Sequence, residues 1–196
     1  MKILGISSFF HDSAAALIDG PNVVAAAEEE RFTRVKHDNS FPINSIKFVL
    51  NMGNLSIHDI DYVVFYEKPI LKLHRILFSN SKNIFKNFNS QFELLKSWDK
   101  NKISTRSFIS KVLGINKKKI IFFEHHFSHA ASAFYCSSYK SSDLYTSDAV
   151  GEWCTTTYGN TKNKELIRSG KVSFPDSIGL LYTAFTEFLG FEVNEG

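Results

Sequence analysis

A chain of 196 residues with 43% hydrophobic and 22% charged side chains can bury a sizeable core, which excludes an intrinsically disordered protein. The formal net charge is only +3, and no apolar run approaches the roughly 20 residues that a membrane helix needs, so a soluble domain without membrane partners is expected. The start, "MKILGISSFFHD", meets His11 and Asp12 too early for the apolar region of a signal peptide. Cys136 and Cys154 form no spaced framework, which favours reduced thiols and a cytoplasmic protein.

In chain order, "KILGISSF", "SAAALID" and "NVVAAAEEE" predict three short strands in an antiparallel meander, with Asp19-Gly20-Pro21-Asn22 as the second turn. The charged stretch "EEERFTRVKHD" reads by default as a solvated segment. Pro42 opens a helix running to about Met52, with Ile43, Ile46, Val49 and Leu50 on one face. "DYVVFYE" is a buried strand. Residues 69 to 113 have helical periodicity, with breaks near Asn80 and Asn101, and predict two or three helices. From Lys68 to Lys119 thirteen Lys or Arg face only Glu93 and Asp99, a local net of +11 that leaves −8 elsewhere. A solvated helical face accounts for this, and attraction of phosphate-bearing partners is the alternative. Too few glycines and stacking aromatics accompany the charges for an RNA module, so a nucleic-acid partner is not expected.

"KKKIIFFEH" then predicts a strand, and residues 127 to 137 a helix. The grammar starts again with "SDLYTSDAVGEWCTTTYGNTKNKELIRSGKVS", which offers three more strands, and with "DSIGLLYTAFTEFLGF", a helix after Asp176. Such repetition predicts an α/β protein with a duplicated two-lobe fold, residues 1–140 forming the first lobe and 141–196 the start of the second. The second copy ends at "NEG", before the remaining strands its sheet needs, and a truncated second lobe is the expectation.

Three motifs carry chemistry. In "EHHFSHAASAFY", His125 and His129 are four apart, which places both imidazoles on one helix face. Asp148 ends the strand "DLYTSD" and can bring a carboxylate to the same point. Two histidines and one carboxylate suit Fe(II) or another divalent ion with open positions, Zn²⁺ included. The competing reading makes His125 and His126 helix caps and His129 a core residue; in the metal reading His126 points away from its neighbours and has no role. In "FFHDS", His11 and Asp12 stand at a turn between strands; His11 can orient or deprotonate a hydroxyl, or the pair is structural. In "EEERFTRVKHD", Arg34 or Lys36 can clamp a phosphate or carbonyl. The single Gly151 of "DAVGEW" is a weak sign of backbone approach to phosphate.

Taken in order, "ILGISSFFHDSAAAL", "AAAEEERFTRVKHD", "EHHFSHAASAFY", "DAVGEW" and "SIGLLYTAFTEFLGFEVNEG" resemble the N-terminal region of O-carbamoyltransferases, the enzymes that carbamoylate nodulation factors, cephalosporins and aminoglycosides such as tobramycin. The resemblance covers nearly the whole chain; only residues 69 to 119 look generic. It implies an actin-like, sugar-kinase-like (ribonuclease H-like) two-lobe fold. It also implies transfer of a carbamoyl group from carbamoyl adenylate, made elsewhere from carbamoyl phosphate and ATP, to a hydroxyl of a small-molecule acceptor. By motif position His125, His129 and Asp148 would hold a divalent metal, Fe(II) being the expected ion, and Lys36 would contact carbamoyl adenylate. His11, with Asp12 beside it, would face the acceptor hydroxyl.

Two features depart from that pattern. The family usually has Gly after the metal aspartate, where Ala149 stands here, at a cost of roughly 1 kcal/mol if the position needs a positive φ. A later metal aspartate and the adenylate-forming domain lie beyond "NEG" in the family, so the missing half is expected either as an in-frame continuation or as a separately encoded C-terminal partner. The alternative to an enzyme is an inactive remnant that binds nucleotide or a protein without catalysis.

Overall fold

The computed structural model describes residues 1–10, 12–79 and 104–193. His11, the predicted break at Asn80 and the one near Asn101 therefore lie outside the described residues. The chain forms two compact units, residues 1–66 with 104–123 and residues 67–79 with 124–193. Among the described residues no helix is long and apolar enough to cross a membrane.

The first unit is built on a mixed five-stranded sheet. Strands β1 (Lys2–Ser7), β2 (Ala14–Asp19) and β3 (Asn22–Glu28) make the expected antiparallel meander. The turn between β2 and β3 uses Gly20 at φ +57°, which costs an achiral residue little. Alternation along β1 and β2 sends Leu4, Ile6, Ala15 and Leu17 inward. A four-residue helix, α1 (Glu30–Thr33), follows the meander, and α2 (Ile43–Met52) starts directly after Pro42. Ile46, Val49 and Leu50 of α2 enter the core, and Ile43 packs at its margin. Strand β4 (Tyr62–Phe65) then pairs parallel with β1, a connection whose length the α2 crossover supplies.

Helix α3 (Pro69–Ser79) belongs to the second unit; α4 (Thr105–Leu113) returns to the first and ends at Gly114 in a left-handed cap. Strand β5 (Ile120–Phe122) pairs parallel with β4, giving the sheet order β3-β2-β1-β4-β5. Ile109 and Leu113 of α4 close the core over Val63, Phe65 and Ile120.

In the second unit α5 (His125–Tyr135) precedes a three-stranded antiparallel sheet, β6 (Asp143–Ser147), β7 (Cys154–Lys162) and β8 (Glu165–Ser173), in the order β6-β7-β8. Helix α5 begins two residues earlier than its sequence predicts. His126, Ala130 and Phe134, four apart, form its buried stripe. Helix α6 (Ile178–Phe188) starts at Ser177, whose hydroxyl accepts the Leu180 N–H at 3.0 Å. None of its residues is buried, and Ile178, Leu181, Tyr182, Phe185 and Phe188 are exposed.

Candidate metal centre

The first two turns of α5 carry the histidine cluster, and the helical pitch separates the three rings. His126 faces inward and is 2% exposed. Its Nε2 lies 2.9 Å from the Cys154 carbonyl, which can only accept, so Nε2 bears the proton and Nδ1 accepts the Thr146 hydroxyl at 2.7 Å. Both nitrogens are thus engaged, and burial pushes the imidazole below its ordinary value. This is a core histidine, which agrees with giving it no part in a site.

His125 and His129 stand on the adjoining stripe, and Asp148, in the turn after β6, meets them. His125 Nε2 is 2.5 Å from Asp148 Oδ2 and 3.1 Å from His129 Nε2, and His129 Nε2 is 3.7 Å from Asp148 Oδ2. The imidazole rings are nearly perpendicular, and both Nε2 atoms lie close to the same Asp148 oxygen. His129 is exposed, which rules out the reading that buries it in the core. The hydrogen bond from His125, then the nearby His129 imidazole, hold the Asp148 carboxyl far below the usual carboxylate range, against the opposing effect of burial.

The Asp148 turn is fixed on several sides. Its own N–H donates to Thr155 O and the Gly151 N–H to Cys154 O, both at 2.9 Å. Ser177 donates its hydroxyl to the Ala149 carbonyl at 2.7 Å. Gly179 packs so closely that a Cβ there would lie 2.5 Å from the Ala149 nitrogen and the Asp148 carbonyl carbon. Gly151 approaches α5, where a Cβ would meet the His125 and His126 side chains at 3.2 Å. This glycine serves contact with the histidines. Ala149 is not among the residues with positive φ, so the expected strain at that position is absent.

Glu124 precedes α5 without capping it. Its carboxylate instead takes Arg168 Nη1 at 2.7 Å and Lys68 Nζ at 3.4 Å. Burial pushes this carboxyl up, but the two cations outweigh burial and leave it below its ordinary value.

The other sequence candidates lie in the first unit. Asp12 accepts from His37 Nδ1 at 2.8 Å, and the His37 backbone N–H donates to Glu30 at 3.1 Å. Ligand atoms of Asp12, Glu30 and His37 all lie within 4.8 Å of one another. The 9–13 and 38–39 segments are further joined by Phe9 N–H to Asn39 O and Ser13 N–H to Asp38 O, at 3.0 and 2.9 Å. Lys36 is exposed on the turn just before His37.

Three working residues escaped sequence reasoning. His37, with φ 56°, sits beside Lys36 in "VKHD" with no periodic signal to mark it. Glu29 and Glu152 are buried carboxylates, and the default reading of "EEERFTR" as solvated fails at Glu29, which is 1% exposed. Cys136 and Cys154 are free thiols, as their spacing implies.

Comparison with known proteins places this geometry in context. The chain is 41% identical over 201 residues to the uncharacterised protein sll1178 of Synechocystis, covering 99% of this chain and 33% of that protein. It is 30% identical over 190 residues to the nodulation protein NolNO of Sinorhizobium fredii, covering 94% and 26%. To the uncharacterised protein MJ1058 of Methanocaldococcus jannaschii it is 29% identical over 246 residues, covering 99% and 40%. The chain thus spans between a quarter and two-fifths of the length of these relatives. Residues 2–196, nearly the entire chain, match the family described as Carbamoyltransferase N-terminus, and the protein belongs to that family.

Proposed function

We propose that this chain is the transfer part of an O-carbamoyltransferase of actin-like, sugar-kinase-like architecture, working in the cytoplasm on a small-molecule hydroxyl with a divalent metal, Fe(II), on His125, His129 and Asp148. The observation that carries the reading is the convergence of two imidazole nitrogens and one carboxylate oxygen, from α5 and the turn after β6, in a member of this family. Ligand atoms about 2 Å from one ion lie about 3 Å apart, and the observed separations of 2.5, 3.1 and 3.7 Å bracket that spacing. Three protein donors leave coordination positions open, as non-haem Fe(II) sites do.

When bound, such an ion supplies a Lewis acid for a carbonyl oxygen. The chain's own residues do the rest. Asp148 and the paired histidines fix where that oxygen sits. Lys36 offers a mobile ammonium to the phosphate of carbamoyl adenylate, which carbamoyl phosphate and ATP supply. His11 orients or deprotonates the acceptor hydroxyl, with Asp12 at its side. Duplication of the three-strand meander supports the two-lobe architecture.

The test is metal content after anaerobic purification. Wild type should hold roughly one Fe, Mn or Zn per chain, and a His125→Ala, His129→Ala double variant less than about a tenth of that. Equal content in the two proteins would refute the metal assignment. For Lys36, a nonhydrolysable carbamoyl adenylate analogue should bind Lys36→Met roughly ten- to a hundredfold more weakly, in a form of the protein that spans the full length of its relatives. Binding within a factor of two would remove Lys36 from the site.

A further inference from the structure

The metal reading brings together His125 and Asp148, 23 residues apart and on different elements. The contact between them and the bonds of His126 to Thr146 and the Cys154 carbonyl join α5 to the strands beside that turn. One further side chain ties the backbone of the first turn of α5 to the Asp148 loop. Glu152 lies four residues beyond Asp148, in the loop that Asp148 N–H to Thr155 O and Gly151 N–H to Cys154 O hold closed. It is 5% exposed, and its carboxylate reaches back to the helix. The His125 N–H points at both oxygens, at 3.0 Å from Oε1 and 3.2 Å from Oε2, and the Lys68 N–H donates to Oε1 at 2.8 Å.

These two amides stand at the starts of α5 and α3, so one buried carboxylate takes the first free N–H groups of two helices, where negative charge is favoured. This also explains why α5 begins at His125 when no side chain of its own caps it. Gly151 makes the approach possible, because the loop comes so close to the His125 and His126 rings that a Cβ would crowd both.

We infer that Glu152 is a positioning residue of the metal centre, holding the first turn of α5 against the Asp148 turn so that His125 and Asp148 face one point without an ion. The inference rests on the metal reading above. Glu152 is not itself a ligand, since its oxygens are committed to backbone amides. Loss of the carboxylate frees the turn that carries His125, while His129, one turn further along, stays anchored by its helix. The signature is a metal site of changed geometry.

The probe is Co(II), titrated into the intact chain, with affinity and the visible d–d spectrum as readouts. Glu152→Gln keeps the shape but lets only one oxygen accept. Glu152→Asp keeps the charge but is too short to meet both amides, and it carries the test if the glutamine variant fails to fold. Each should bind Co(II) about tenfold more weakly, the lower end of what outer-shell partners of ligands contribute, with an altered spectrum at saturating metal. A purely structural role would lower the melting temperature and leave the saturated spectrum unchanged. Co(II) affinity within a factor of two of wild type and an identical spectrum would overturn the role of Glu152 alone. If wild type binds Co(II) no better than the His125→Ala, His129→Ala variant, the metal reading falls and takes this role with it.

Discussion

Glu29→Gln is the sharpest test of how the first unit is held together. The Glu29 carboxylate is 1% exposed and accepts four hydrogen bonds. Oε1 takes Asn44 N and Nδ2 at 3.1 and 2.7 Å, and Oε2 takes Ser45 N and Oγ at 2.8 and 2.7 Å. Two of these donors are backbone amides in the first turn of α2, which has no side-chain cap of its own. Glutamine preserves volume but replaces one acceptor oxygen with an NH₂ group, which then faces two donors. Two charge-assisted bonds are lost, each worth about 1.5–3 kcal/mol, and relief of burying a charge returns part of that. A net loss of about 2–4 kcal/mol remains. For a chain of this size each kcal/mol moves the melting temperature by about 2–4 °C, so the variant should melt roughly 5–15 °C lower. Circular dichroism melts read this directly, and a shift below about 2 °C would show that Glu29 contributes no net stability.

Two further outcomes are expected. Gly179→Ala adds a Cβ 2.5 Å from the Asp148 and Ala149 backbone, so the turn must move; the cost should be about 1–3 kcal/mol, with weaker Co(II) binding, and unchanged melting and metal affinity would show that the turn yields freely. His37→Ala removes the imidazole that faces Asp12 at 2.8 Å across a partly exposed pair, worth about 1 kcal/mol or less; limited trypsin digestion should nonetheless cut after Arg34 or Lys36 several-fold faster, and an unchanged digestion rate would show that the contact does not order the loop.

The elements were legible because their signals are local. Alternation in "KILGIS" and "AAALID", Gly20 at a turn, Pro42 ahead of an amphipathic run and the i, i+4 histidines each depend on a few neighbouring residues. The second meander was legible for the same reason. Buried glutamates were not. Glu29 meets Asn44 and Ser45 from 15 and 16 residues away, and Glu152 meets His125 from 27 and Lys68 from 84. Glu29 stands in a stretch that reads as solvent-facing and Glu152 in a turn, and neither pattern marks burial, because burial of a carboxylate depends on which helix start the tertiary fold brings to it. The start of α5 was misplaced by two residues from the same cause, since its capping group comes from the far side of β6.

Both units use one chemical grammar, and the difference between them argues for where the metal belongs. In each, the connection after the first strand of the meander carries an aspartate that faces an imidazole from another element: Asp12 with His37, and Asp148 with His125. In the second unit α5 adds His129 at helical spacing, so two nitrogens and an oxygen meet within 3.7 Å of one another. In the first unit the third member is Glu30, one of whose oxygens takes the His37 backbone N–H, while the only imidazole nitrogen facing Asp12 is engaged by it. Those bonds hold His37 in a left-handed conformation and tie the 34–40 loop to the 9–13 loop. A divalent ion there would have to break the contacts that shape the loop, whereas at His125, His129 and Asp148 it would replace one short imidazole–carboxylate contact and relieve two nitrogens facing each other at 3.1 Å. The duplicated framework therefore supports a clasp beside Lys36 in one unit and a candidate ion site in the other.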